Sequence, residues 1–189
     1  MKLANLFKAA ILTAGLATLS GCGTMNAATN LEEGAWGTFN EIWDRWVESE
    51  GDIGQAVVWE KKVAEGVSLD DVIDAINAVG IARNIKNVGE LPLSEELKAR
   101  GRESGVIHVM SFCNPDTARD MLDFSPAMGA MLPCRVTIVE QADGLYLYTM
   151  NMDMMVKMGK KMPSELKEKT MAVRDTIWMM MDKGSRGEF

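Results

Sequence analysis

The chain has 189 residues, 47% hydrophobic and 25% charged, the balance of one globular domain of ordinary size. Its formal charge of −7 argues against nucleic-acid binding, which needs a basic surface to displace counterions. The 1 His excludes three-histidine zinc enzymes and His-Glu-x-x-His proteases, while 3 Cys and 16 Met make sulfur the unusual part of the composition.

Lys2 and Lys8 open the chain, and residues 9–19 form an uncharged apolar run. That run is far shorter than the roughly 20 residues that span a bilayer, so it reads as a signal-peptide core. It ends in Leu19-Ser20-Gly21-Cys22, which resembles the lipobox of bacterial lipoproteins. The resemblance implies cleavage before Cys22 and acylation of that cysteine, palmitate included. Residues 1–21 are then the signal, and the mature chain has 168 residues. Loss of Lys2 and Lys8 takes its formal charge to −9. Gly23 follows Cys22 where an Asp would imply inner-membrane retention, so an outer-membrane lipoprotein facing the periplasm is expected. Lipid at Cys22 makes the chain anchored, not spanning. Residues 22–35 are small and polar and read as a flexible tether.

Residues 36–54 form a Trp-rich helical extension in which Phe39, Trp43, Trp46 and Val47 share one face. Residues 55–63 read as a strand. Ser68 caps a helix with Asp70 and Asp71 in its first turn and Leu69, Val72, Ile73, Ile76 and Val79 on its core side. Residues 87–92 read as a loop, followed by a short helix capped by Ser94 and a β-branched strand over 106–112. Asn114-Pro115 starts the next helix. A strand over 134–140, a turn at 141–144 and a return strand over 145–150 form a hairpin. Two helices close the chain, 152–161 and 164–183, and residues 184–189 read as a disordered tail. The order predicts an α+β fold in two layers, a mixed sheet of about four strands with helices packed on it.

Cys113 and Cys134 remain once Cys22 is lipidated. In an oxidising compartment such a pair suggests a disulfide, contributing roughly 3 kcal/mol for a loop of this length. The alternative is a reactive pair, since Cys113 directly precedes a helix start and Arg135 follows Cys134, both of which favour a thiolate. Phe112-Cys113-Asn114-Pro115, Ala118, Leu132-Pro133-Cys134-Arg135-Val136 and Gly144 resemble domain-of-unknown-function family 302, as does the stretch 87–94. The resemblance covers residues 55–183. It implies a small α/β domain that pairs as a homodimer, with Cys113 and Cys134 in the family's Cys-Asn-Pro and Pro-Cys motifs, and no established reaction.

Beyond Met25, the methionines of the mature chain lie between Met110 and Met181. The densest run includes Met150, Met152, Met154, Met155, Met158 and Met162. Thioethers are soft ligands that select Cu(I), so Met150, Met152, Met154, Met155 and Met158 form a candidate metal site. The competing reading is packing, because Met154, Met155, Met158 and Met162 follow helical spacing. Met179 falls on the side of the last helix away from its apolar stripe. His108 reads as a hydrogen-bonded structural residue, and Glu32-Glu33 and Glu95-Glu96 as solvated surface and helix-end charge. No catalytic constellation appears, and no cofactor is predicted beyond Cu(I). These features favour a non-enzymatic, lipid-anchored periplasmic binding or interaction domain. The alternatives are a thiol-based redox or sulfur-carrier protein using Cys113 and Cys134, and a Cu(I) binder using residues 150–162.

Overall fold

The computed structural model describes residues 27–189. The signal and the lipidation site expected at Cys22 lie outside the described residues. The elements in order are α1 (Ala35–Glu48), α2 (Ile53–Ala56), β1 (Val58–Lys62), α3 (Leu69–Ala82), β2 (Lys86–Pro92), α4 (Leu93–Ala99), β3 (Ile107–Cys113) and α5 (Pro115–Phe124). A 3-10 turn (Pro126–Met131), β4 (Cys134–Gln141), β5 (Gly144–Met150), α6 (Met152–Lys157) and α7 (Ser164–Arg186) complete the chain.

The strands form one sheet in the order β1-β5-β4-β3-β2, and every neighbouring pair is antiparallel. The two-layer α+β architecture is as expected, but the sheet has five strands and no parallel pair. The added strand is β2, which the sequence presents as a loop. Asn87, Gly89 and Pro92 are turn residues, and the register slips between Asn87 and Gly89. A bulge and a proline are both tolerated because β2 is an edge strand, where one side of the backbone needs no partner.

Alternation along the strands divides the sheet into two faces. Trp59, Leu147, Val136, Ile138, Met110 and Phe112 point to the helical layer and are buried. Val58, Tyr146, Tyr148, Met150 and Val109 lie on the other face and remain half-exposed. The helical layer is built on α3 and α7. Ser68 and Asp71 close a capping box at the start of α3, which sets Val72, Ile76 and Val79 into the core. At Gly184 the two helices meet so closely that a Cβ would lie 2.7 Å from Ile76 Cγ1.

Three sequence expectations change here. Helix α7 runs to Arg186, and Gly184 and Ser185 are buried, so residues 184–186 are helix and not tail. Ala64 N–H donates to the Ser185 carbonyl at 2.7 Å and holds that end in place. Second, α6 stops at Lys157, so Met158 and Met162 do not extend one helical face with Met154 and Met155. Third, the segment before α1 is docked. Leu31 bridges Lys160, and Glu32 is buried, not solvated. The Glu32 carboxylate accepts from Met162 N–H and from Lys167 Nζ, each at 2.7 Å. Burial alone would raise its pKa, but these donors outweigh it and hold the carboxyl below its ordinary value. Among the described residues no helix is long and apolar enough to cross a membrane.

Candidate functional site

Cys113 ends β3 and Cys134 begins β4. The register pairs Phe112 with Cys134, so Cys113 sits one residue beyond that pair, where the strand stops. Asn114 makes the stop. Its Oδ1 accepts from Thr117 N–H at 3.0 Å and caps α5, its Nδ2 donates to the Asn84 carbonyl at 3.0 Å, and Pro115 takes the first helical position. The chain therefore turns at Cys113, and both thiols line one small cavity.

Three thioethers line it too: Met121 from α5, Met128 from the 3-10 turn and Met155 from α6. Phe112, Leu132, Thr170 and Val173 are also in the wall. The cavity is about 30 Å³. A cavity that takes benzene needs roughly 150 Å³. The wall is thus rich in sulfur and too small for a drug-sized guest. On its outer side it shares Asn114, Thr117 and Val173 with a wider cleft of about 540 Å³ lined by Arg83, Lys169, Asp175 and Met179. Met179 Sδ accepts there from Arg83 Nη2 at 3.8 Å, which accounts for its place outside the apolar stripe of α7.

Both cysteines are free thiols. Burial pushes the Cys113 thiol up, and pushes Cys134 up to about 11, with the charge of a neighbouring Cys113 acting in the same direction. Burial acts against the sequence argument that the helix start and Arg135 would favour a thiolate. Desolvation dominates at both sulfurs, and Arg135 is exposed, lining a cleft on the open face of the sheet.

The five methionines proposed as a copper site are not gathered in one place. Met150 and Met152 line the open-face cleft, of about 390 Å³, whereas Met155 lines the sulfur cavity. Met154 and Met158 line neither. Met121 and Met128 were missed as site residues because nothing in their local pattern ties them to Met155; only the packing of α5 and the 3-10 turn on α6 and α7 does. His108 is buried and its Nε2 lies 3.2 Å from Glu90 Oε2, a structural hydrogen bond at the β2–β3 edge. Among the described residues no group of three or more His, Cys, Asp or Glu is placed to hold a metal ion.

A family model described as Domain of unknown function DUF302 matches residues 59–184. The chain belongs to the DUF302 family. The match begins at the second residue of β1, so the DUF302 domain excludes α1 and α2 and includes the whole sulfur cavity. A crystal structure described as an uncharacterized conserved protein DUF302 from Bacillus stearothermophilus is similar, with a TM-score of 0.55 and 19% identity. The similarity covers 67% of this chain and 97% of that one, and at such identity it speaks to the fold alone. None of the curated proteins compared with the chain matches it.

Proposed function

We propose that this protein is a non-enzymatic binding domain, held to the outer membrane by lipid on Cys22 and facing the periplasm, with the sulfur cavity as its ligand site. The observation that carries the reading is the convergence of two thiols and three thioethers from β3, β4, α5, the 3-10 turn and α6 on one apolar cavity. Its size selects the ligand class. At about 30 Å³ it suits an ion and not an organic molecule. Soft sulfur donors select Cu(I), and a coordinating thiol gives up its proton to the metal even where burial has raised its pKa. Binding therefore releases protons and tightens as pH rises. The Cu(I) site proposed here is Cys113 and Cys134 with Met121, Met128 and Met155, in place of the run 150–158.

Raised thiol pKa values weigh against a thiol-redox or sulfur-carrier role, which needs a thiolate at neutral pH. The half-exposed sheet face supports a homodimer, with Val58, Tyr148 and Met150 as its centre.

The test is anaerobic titration of the protein with Cu(I) against a competing chelator. Tight binding of one equivalent is expected. Cys113→Ser with Cys134→Ala should weaken it by more than the roughly 10–100-fold that losing an outer-shell partner costs. Met150→Leu with Met152→Leu should change it little. Undiminished binding in the cysteine variant would exclude the cavity as the site.

A further inference from the structure

Helix α1 shows solvent an unbroken aromatic face. Trp36 is 61% exposed, Phe39 44% and Trp43 53%, and Trp46 and Val47 continue the row. The rings touch in sequence, with centroids 6.2 Å apart for Trp36–Phe39, 6.5 Å for Phe39–Trp43 and 5.2 Å for Trp43–Trp46. Ile53 of α2, also exposed, extends the patch. The face does not arise from a loose helix. Ala35 and Thr38 are buried on the adjoining side, and Arg45 Nη1 donates to the Val58 carbonyl at 2.6 Å, tying α1 to β1. The domain therefore holds three tryptophans and a phenylalanine outward, at the cost of leaving them in water.

We propose that this face of α1 lies on the surface of a lipid bilayer as a second membrane contact. The inference rests on the lipid reading of Cys22 for the place of the bilayer. Cys22 is five residues before Ala27, the first described residue, so its lipid is held within about 18 Å of Ala27 even if the link is fully extended. From Ala27 onward the chain is folded and docked through Asn30, Leu31 and Glu32, and it passes directly into α1. The end of the domain that the anchor draws to the membrane is thus the end that carries the aromatic row.

The chemistry of the face fits that occupant. Tryptophan concentrates at bilayer interfaces, where its ring is in the apolar boundary and its N–H stays wet. At 14 residues α1 is too short to span, so it would lie flat. Its polar flank bears Glu41, Asp44 and Glu48 against Arg45 alone, so the attraction is apolar, and anionic lipid would weaken it. That sets this surface apart from one that binds lipid headgroups by basic charge.

The experiment uses the mature chain carrying Cys22→Ser, which has no lipid, mixed with phosphatidylcholine vesicles and separated by flotation. The wild-type face should co-float, with blue-shifted tryptophan emission, equally at about 0.1 M and about 0.5 M salt. Trp36→Ser with Trp43→Ser should reduce partitioning about tenfold or more. Ile81→Ser, a still more exposed site on α3, should leave it unchanged. Should the double variant misfold, quenching of wild-type emission by brominated phosphatidylcholine decides the matter instead. The proposal is overturned by any of four results: no wild-type partitioning or quenching, equal partitioning of a folded double variant, binding confined to anionic vesicles and lost at high salt, or a solution dimer dissolved by the double variant without vesicle binding. The intact mass of the native chain extracted from membranes tests Cys22 acylation separately, so either reading can fail without the other.

Discussion

Helices α1 and α7 are both amphipathic, and their apolar faces meet different surroundings. On α7, Leu166, Ile177, Met180 and Met181 are buried against the sheet and α3. On α1, the aromatic row faces away from the domain, and the helix is held by Ala35, Thr38 and Arg45 instead. Periodicity identifies an apolar face in each case, but it does not say what covers that face. For α7 the cover is the domain's own core; among the described residues nothing covers the row on α1.

Substitutions that unseat α7 should therefore cost far more than those on the α1 face. The largest loss is expected at Asp153, buried at the start of α6 and held by Arg174 of α7 at 2.9 and 3.2 Å, with Lys157 beside it. Asp153→Ala removes the two-pronged partner of Arg174, leaving it only Asp175 and the Trp59 ring, and should lower stability by about 3–5 kcal/mol in urea unfolding. The same pair predicts an acid limit. Burial acts to raise the Asp153 pKa, but the bonds to Arg174 and Lys157 prevail and lower it. Its contribution is then complete above the ordinary carboxylate value, about pH 4, and is lost as pH falls through the lower folded value. Wild type should lose stability there, and Asp153→Ala should lose less.

Ile177→Ala, at a fully buried position, should cost about 2–5 kcal/mol with an unchanged denaturant slope. Gly184→Ala sharpens the comparison, because it adds a single carbon where α7 meets α3. A contact of 2.7 Å with the inner part of Ile76 forces a shift, and about 1–3 kcal/mol should be lost. Trp43→Ser on α1 should change stability by less than about 0.5 kcal/mol. A loss comparable to that of Ile177→Ala would mean that the α1 face is packed after all. Thiol labelling gives the smallest signal: Cys113 should alkylate before Cys134, and both rates should climb with pH beyond neutrality.

Much of the DUF302 domain can be read from local chemistry. The capping box at Ser68, the Asn114-Pro115 start and the hairpin around Asp143 are short-range devices, and the structure places α3, α5 and the β4–β5 hairpin where they indicate. Strand β2 could not be read that way. Its turn residues are acceptable only because it is an edge strand, and whether a strand is an edge depends on its neighbours. Residues 184–186 and Glu32 fail for a related reason. Small or charged residues near a terminus look solvated until a distant segment, Ala64 for one and Met162 with Lys167 for the other, satisfies them.

The sequence by itself determined the sulfur-rich composition, the paired cysteines, the aromatic row on one face of α1 and most element boundaries, because each depends on residue type and spacing along the chain. Tertiary structure alone decided which sulfurs meet. Met155 lines a cavity with Cys113 and Cys134, while Met150 lies across the sheet from it, although the two are five positions apart. That division follows from strand parity at Met150 and the turn of α6 immediately afterwards, which send nearby side chains to opposite faces of one sheet.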